Sequence, residues 1–397
     1  MVLLYNTFEL IFFGGNMKVE IVASTSRQLP NFREEFDELG GELAGICYMP
    51  HTFDDVKNQP LDRKLARAGL VKDGGHHSVF DHEYVTLYLE DVPKMFAMLL
   101  NNERAYNTSE KSGRYTKMTT VGMQADLYAK WSKILEKLIK DRYGNEQYFD
   151  NKRIRKLAFE NARLFLSVYT PTSLAYTVSF RQLNYLYAWL GKLQQDSSPL
   201  LSPLAKTADE FCKKLEDLDL IDPDLVAYGK ARDFSIMAKR DMQEYFGDVY
   251  CTKYKGSFAQ YAQAERHRSL TYQMAELPTP EFYIPPLVQE DDKLCEEWLT
   301  DMLQVHEFTP QGSMVQIYER GTPEAFVLKM RERLCTCAQL EICDQTQKTL
   351  QKYLENTDDP AIIEMLSPYS KGARCLAGFE CRNKCAFHDG ITMERKI

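Results

Sequence analysis

Apolar and polar residues alternate over two stretches, MKVEIVAS at 17–24 and YVTLYLE at 84–90, and this period of two predicts strands whose successive side chains face opposite sides of a sheet. Elsewhere the apolar positions recur at three- and four-residue spacing. That period predicts helices at 62–68, 92–104, 124–142, 154–167, 182–194, 203–215, 257–268, 291–304 and 323–354, the last with a break. The mixture lacks the regular strand–helix alternation of a doubly wound sheet, so the expected class is α+β. The Pro/Asp-rich LDLIDPDL at 218–225 is the nearest approach to a linker. One order of features, a strand, a helix ending in a cationic cluster, a helix, an apolar turn and a long helix, occurs over 81–215 and again over 248–354. A tandem duplication accounts for that recurrence, and so does chance, since identity between the halves is slight.

Length and charge narrow the picture. A chain of 397 residues has room for two domains, and a formal net charge of −8 argues against a general binder of nucleic acid or membrane surfaces. Any anion must therefore be gripped locally. Ten cysteines without a secretory leader imply reduced thiols and a cytoplasmic setting. The opening MVLLYNTFELIFFGGN is apolar, but it is too short to span a bilayer and lacks both a basic start and a small-residue cleavage site. We read residues 1–16 as neither signal nor anchor and Met17 as the natural start, with Gly14 and Gly15 ahead of it as a translated ribosome-binding sequence would place them.

Two short segments carry candidate chemistry. In QAERHRSL at 263–270 the guanidinium forks of Arg266 and Arg268 suit phosphate. On a helix Gln263 and Arg266 would share a face while Arg268 projects elsewhere. A bare Arg-His-Arg triplet also reads as a solvated cluster at a helix end. In NERAYNTSEKSGRYTKM at 102–118, Glu110, Ser112 and Arg114 alternate, so an extended backbone would put them on one polar surface, with Gly113 admitting a ligand close to the main chain. The same residues also fit a polar turn with a local Glu–Arg pair.

At these residues the sequence resembles the flavin-dependent (alternative) thymidylate synthases, whose signature is Arg-His-Arg, seven residues, then Ser within Glu-x-Ser-x-Arg-Tyr. Here the signature is split. Asn102-Glu103-Arg104 with Glu110, Ser112 and Arg114 keeps the spacing and the ending but lacks the first Arg and the His. Gln263 with Arg266-His267-Arg268 keeps the triplet, but Met274, Glu276 and Pro278 replace the ending. GHHSVFDH at 75–82 resembles the family's Gly-His-x-Ser/Thr-x-Phe-Glu-His, and NARLFLSVYTPTSLAYTVSFRQL at 161–183 resembles its Ala-Arg…Asn-x-Arg-x-Leu stretch. Ser179, Tyr185 and Leu190 depart from the pattern in the first half, as do Thr322 and Glu324 in the second. RLCTCAQLEI at 333–342 resembles Arg-x4-Ala-Gln-x-Glu-Ile and restores in the second half the arginine missing at Leu190.

The resemblance implies two tandem copies of the synthase fold, helices on a mainly antiparallel sheet, forming a pseudo-dimer at 17–225 and 226–356, with a Cys/His-rich tail at 357–397. It implies one composite substrate site, with Gln263, Arg266 and Arg333 from the second copy and Glu110, Ser112, Gly113, Arg114 and Arg163 from the first. Arg333 would be catalytic, stabilising charge that develops on the uracil ring. Ser112 has a nucleophile's hydroxyl, but no histidine base follows it closely, so it is assigned to binding with covalent catalysis as the alternative. Ser78, His76, Glu110, Arg181, Arg266, His267 and Arg268 would contact FAD, with His267 and its neighbours acting as cations beside the flavin. The implied reaction converts dUMP to dTMP with methylenetetrahydrofolate as carbon donor and NADPH as reductant, in a homodimer that rebuilds a pseudo-tetramer. Uridylate hydroxymethylation and an inactive flavin- or nucleotide-binding scaffold are the competing readings. Cys375, Cys381, Cys385 and His388 are ligand types that suit a structural zinc, against reduced cysteines on a short tail. Cys335 and Cys337, on a helix, would diverge.

Overall fold

A computed structural model describes residues 17–26, 32–49, 52–114, 121–146, 148–381, 385 and 395–397. The 1–16 leader and His388 lie outside the described residues. The fold is α+β, with two four-stranded antiparallel sheets. The chain divides into two compact units, Met1–Lys111 with Pro171–Phe234, and Ser112–Thr170 with Ser235–Ile397.

In the first unit, strands β1 (Lys18–Ser24), β2 (Tyr84–Pro93), β3 (Tyr106–Glu110) and β4 (Pro171–Ser179) form a sheet in the order β1-β2-β4-β3. The central strand β2 buries Val85, Leu87 and Leu89 while Thr86 and Tyr88 stay partly exposed, the pattern of a strand covered on one face. Edge strand β1 carries Lys18 and Glu20, charges that discourage further strand pairing. Helices α1 (Phe32–Tyr48), α2 (Phe53–Lys57) and α3 (Leu61–Asp73) precede β2, and α4 (Lys94–Asn101) follows it. The predicted helix at 92–104 is shorter at both ends, because Val92 and Pro93 still pair with Thr172 and Pro171 in the sheet.

Helix α1 escapes sequence periodicity because it holds Gly40, Gly41 and Gly45, poor helix formers. Packing explains them. A Cβ at Gly41 would stand 2.0 Å from the Lys64 carbonyl oxygen of α3, and one at Gly40 would stand 2.4 Å from the Phe80 ring.

In the second unit, α5 (Gly122–Tyr143) and α6 (Asn151–Ala162) come first in the chain. They share a core with α11 (Pro286–Gln289) and α12 (Asp292–Gln304); numbering follows the chain, in which α7 (Phe180–Leu190), α8 (Ala205–Asp217) and α9 (Pro223–Gly229) belong to the first unit. Trp131, Phe165 and Trp298 form the centre of that core, with ring centroids 4.6–5.8 Å apart, and the Trp131 indole N–H donates to Asp301 at 2.8 Å. The sheet runs β5 (Tyr245–Phe246), β6 (Tyr250–Ser257), β8 (Met314–Gly321), β7 (Thr271–Ala275). Helix α10 (Phe258–Ala264) follows β6, and α13 (Pro323–Arg333), α14 (Leu340–Glu355) and α15 (Pro360–Leu366) complete the unit.

The two sheets share one order, first-second-fourth-third, and from β2 and from β6 onward each runs strand, helix, strand, two helices, strand, helix, although three helices separate β1 from β2 and none separates β5 from β6. Asn102–Arg104 follow α4 as Arg266–Arg268 follow α10, and Leu190 is the last residue of α7 as Arg333 is of α13. Two expectations need correction. The helix at 257–268 stops at Ala264, where turn hydrogen bonds His267 N to Ala264 O and Leu270 N to His267 O take over, so Gln263 and Arg266 do not share a helical face. The helix at 323–354 breaks at Leu334, placing Cys335 and Cys337 in a turn closed by Ala338 N to Cys335 O rather than on a helix. Among the described residues no helix is long and apolar enough to cross a membrane.

Candidate functional site: an arginine cluster in the second unit

Nine of the sequence-selected binding and catalytic residues lie in the second unit, and five of them, Gln263, Arg266, His267, Arg268 and Arg333, come from its 235–397 stretch. Ser257 accepts the Gln260 N–H and so caps α10, the helix that presents Gln263. Arg333, at the end of α13, donates from Nε to His267 Nε2 at 2.6 Å and from Nη2 to the Gln263 carbonyl at 3.1 Å. A guanidinium can only donate, so His267 Nε2 is an acceptor and the imidazole is neutral. Burial, together with the charges of Arg333 and Lys329, pushes its pKa from 6.5 down to about 2. His267 is therefore not the cation expected of it; the charge of the triplet resides on Arg266 and Arg268, both exposed to solvent.

The residues contributed from 112–170 approach the same place. Arg163, at the end of α6, donates from Nε to the Glu160 carbonyl at 3.2 Å and from Nη2 to Gln339 Oε1 at 2.8 Å. Gln263 Nε2 donates to that same Gln339 oxygen. Arg114 is held by the Glu160 carboxylate through Nε and by the Cys337 carbonyl through Nη2. Ser112 Oγ accepts the Arg114 N–H at 3.3 Å, so the backbone turns here and the extended geometry expected through Arg114 ends with β3 at Glu110.

Electrostatics define what this arrangement can bind. Burial lowers the pKa of Arg333, and the like charges of Arg114 and Arg266 act in the same direction. Three guanidinium groups within mutual influence, one of them largely withdrawn from water, favour an anion among them. Gln263 Oε1 is buried with no hydrogen-bond partner among the described residues, an acceptor set for a donor such as an imide N–H or a hydroxyl. Burial pushes Glu341 up to about 7 while hydrogen bonds from Ser257 and the charge of Arg163 pull the other way.

Glu110 and the candidates at 76–82 and 181 belong to the first unit. Glu110 pairs with Lys94 at 2.6 Å and accepts from Thr172 at 3.2 Å. His76 and Ser78 are exposed around the short 3-10 turn His77–Asp81. Arg181 is paired with Asp81 and lies 5.8 Å from the Tyr185 ring centroid. His77 Nε2 donates to the Lys72 carbonyl at 2.9 Å, and Nδ1 lies 3.0 Å from the Tyr185 hydroxyl. In the tail, Cys375 packs against buried Cys385, and no metal-holding group of three or more ligands occurs among the described residues.

Sequence reasoning missed Gln339, Glu341, Glu160 and Ser257. The first two sit inside the quoted AQLEI run, which was their only signal; Glu160 has none, because its role depends on α6 delivering it to Arg114.

Residues 32–190 match the family model of the thymidylate synthase complementing protein, Thy1. That Thy1 span contains Ser112, Arg114 and Arg163 and ends at Leu190, before Gln263, Arg266 and Arg333. Solved structures with a likeness to the chain include a UMP/dUMP methylase, PolB, from Streptomyces cacaoi bound with 5-Br dUMP, at 14% identity and TM-score 0.34 over 54% of this chain and 94% of that one. They also include thymidylate synthase X (ThyX) from Helicobacter pylori with FAD and dUMP, at 14% identity and TM-score 0.32 over 54% of this chain and 100% of that one. Likenesses this loose assign no residue roles. No curated protein matches the chain.

Proposed function

We propose that the chain is a fused, tandem-duplicated flavin-dependent thymidylate synthase that converts dUMP to dTMP at one composite site. The observation that carries this reading is the convergence of Arg163, from the Thy1 span, and Gln263, from the second copy, on one oxygen of Gln339. The matching strand order of the two sheets supports the duplication at 17–225 and 226–356.

In this reading Arg114, Arg163 and Arg266 neutralise the nucleotide phosphate, with Ser112 and the Gly113 main chain closing around it. Gln263 Oε1 accepts from the base or sugar. Arg333, aligned by neutral His267, stabilises negative charge on the uracil as C5 attacks the one-carbon unit. Within the second unit the donor set fits a flavin, since exposed Arg266 and Arg268 suit its pyrophosphate. Bound FAD would relay hydride from NADPH, with methylenetetrahydrofolate as carbon donor. A homodimer with two such sites completes the proposal.

Incubation with dUMP, methylenetetrahydrofolate, FAD and NADPH, followed by mass analysis of the nucleotide, tests it. Gain of a methyl group supports the synthase, and gain of a hydroxymethyl group supports the uridylate hydroxymethylase instead. Absence of any product from FAD-loaded protein overturns the enzyme reading in favour of a binding scaffold.

A further inference from the structure

Gln339 can serve Arg163 in only one of its two amide orientations, because the guanidinium has no acceptor. With Arg163 Nη2 and Gln263 Nε2 both donating to Gln339 Oε1, the Gln339 amide nitrogen points the other way and donates to Glu341 Oε2 at 3.3 Å. Glu341 is buried, and its carboxylate also accepts the Ser257 N–H at 2.7 Å and the Ser257 hydroxyl at 2.6 Å. Every described hydrogen bond to this carboxylate thus comes from a donor. Ser257 in turn caps the helix that carries Gln263. An acceptor-only group at position 341 therefore governs both the amide that unites the two half-motifs and the start of α10.

We propose that Glu341 is a positioning residue for nucleotide binding: it holds Gln339 with its carbonyl toward Arg163 and Gln263, and so sets the direction in which those two side chains meet a nucleotide monophosphate. The proposal rests on the reading of this arginine cluster as a nucleotide site. An amide at 341 keeps the size but supplies an N–H₂ group, which turns the Gln339 carbonyl toward itself and sets the Gln339 nitrogen against the Arg163 guanidinium. Two donors then face each other. Moving the charge by one link avoids this, since a carboxylate at 339 accepts from Arg163, Gln263 and an amide at 341 together.

Titration calorimetry with dUMP on wild type, Arg163→Ala, Glu341→Gln and Gln339→Glu/Glu341→Gln tests the proposal, with near-ultraviolet circular dichroism confirming the fold. Arg163→Ala is expected to weaken binding at least about tenfold, Glu341→Gln about tenfold, and the charge-relocated double variant is expected to return to within about threefold of wild type, as loss and recovery of hydrogen bonds to charged groups imply. A purely structural role for Glu341 would not be rescued by moving its charge. Wild-type affinity in Glu341→Gln, or no recovery in the folded double variant, overturns the proposal. If Arg163→Ala also binds as wild type, the nucleotide-site reading itself fails; if only Glu341→Gln is unaffected, that reading survives and the positioning role falls. Should Glu341→Gln not fold, Gln339→Ala removes the shared acceptor without touching Ser257, and wild-type affinity there overturns the proposal equally.

Discussion

Arg163 Nη2 donates to Gln339 Oε1 at 2.8 Å across 176 positions of sequence. Through this contact a side chain from the first half-motif and the loop after Arg333 in the second are locked together. Because Gln263 shares the same acceptor, Arg163 and Gln263 are expected to act as a coupled pair. Arg163→Ala should weaken dUMP about 30-fold, Gln263→Ala less, and the double variant should fall short of the sum by about 1 kcal/mol. A double-mutant cycle by calorimetry checks this, and strict additivity would contradict a shared anchor.

Neutral His267 makes stability sensitive to acid. Its folded-state pKa, near 2, lies below the ordinary 6.5, so the unfolded chain takes up a proton that the folded protein refuses. The stabilisation is complete above pH 6.5 and is lost progressively as pH falls below it, by up to about 1.4 kcal/mol per pH unit. His267→Gln keeps an acceptor for Arg333 but cannot titrate, so urea unfolding between pH 7 and 5 should show a flatter acid flank for this single group. An unchanged slope would show that His267 is protonated in the fold.

Lys329 and Glu319 form a fully buried pair at 2.6 Å, and Glu319 also accepts the hydroxyls of Tyr250 and Tyr254 at 2.7 and 2.8 Å. Burial lowers the Lys329 pKa, and the carboxylate opposes that shift. Lys329→Met strands the carboxylate and should cost about 3–5 kcal/mol. Lys329→Met/Glu319→Gln removes the charge, keeps an acceptor for one tyrosine and offers an amide N–H to the hydroxyl oxygen of the other, and should recover part of that loss, read from urea midpoints. Equal destabilisation in both variants would contradict the electrostatic explanation.

Gly41 permits α1 to lie against α3, and the atom it would strike is main-chain oxygen, which cannot rotate away. Gly41→Ala is expected to cost about 1–3 kcal/mol despite the better helix propensity of alanine. Thermal unfolding of the variant decides between these opposing effects; a raised melting temperature would show that the helices separate freely.

These positions also mark the limits of what sequence reveals. Strand β2 was legible because alternation is strict where one face is covered, β1 because its first four residues alternate before the irregularity at Ile21–Ala23, and α5 and α12 because long apolar stripes leave little ambiguity. Strands β3 and β7 were missed because five-residue edge strands such as YNTSE and TYQMA are too short for period to separate from turns, and the longer β4, β6 and β8 were missed as well, their polar and glycine positions giving no clean period of two. Helix α1 was hidden by glycines whose purpose appears only once α3 and Phe80 are in place. Arg163 and Arg333 were singled out by the resemblance to the synthase family, and Gln263 by that resemblance together with its spacing from Arg266. Their orientation was not, because it is set by Gln339, Glu160 and His267, whose roles arise from hydrogen bonds across 46 to 176 positions. The charge of His267 was misjudged for the same reason: neutrality follows from burial beside Arg333.

The most direct test of the composite site is a crystal structure of the chain with dUMP. The account expects a single nucleotide in the second unit, its phosphate within hydrogen-bonding distance of Arg114, Arg163 and Arg266 and its uracil beside Arg333. A nucleotide contacted by residues of only one half-motif, or bound away from Gln263, would contradict it.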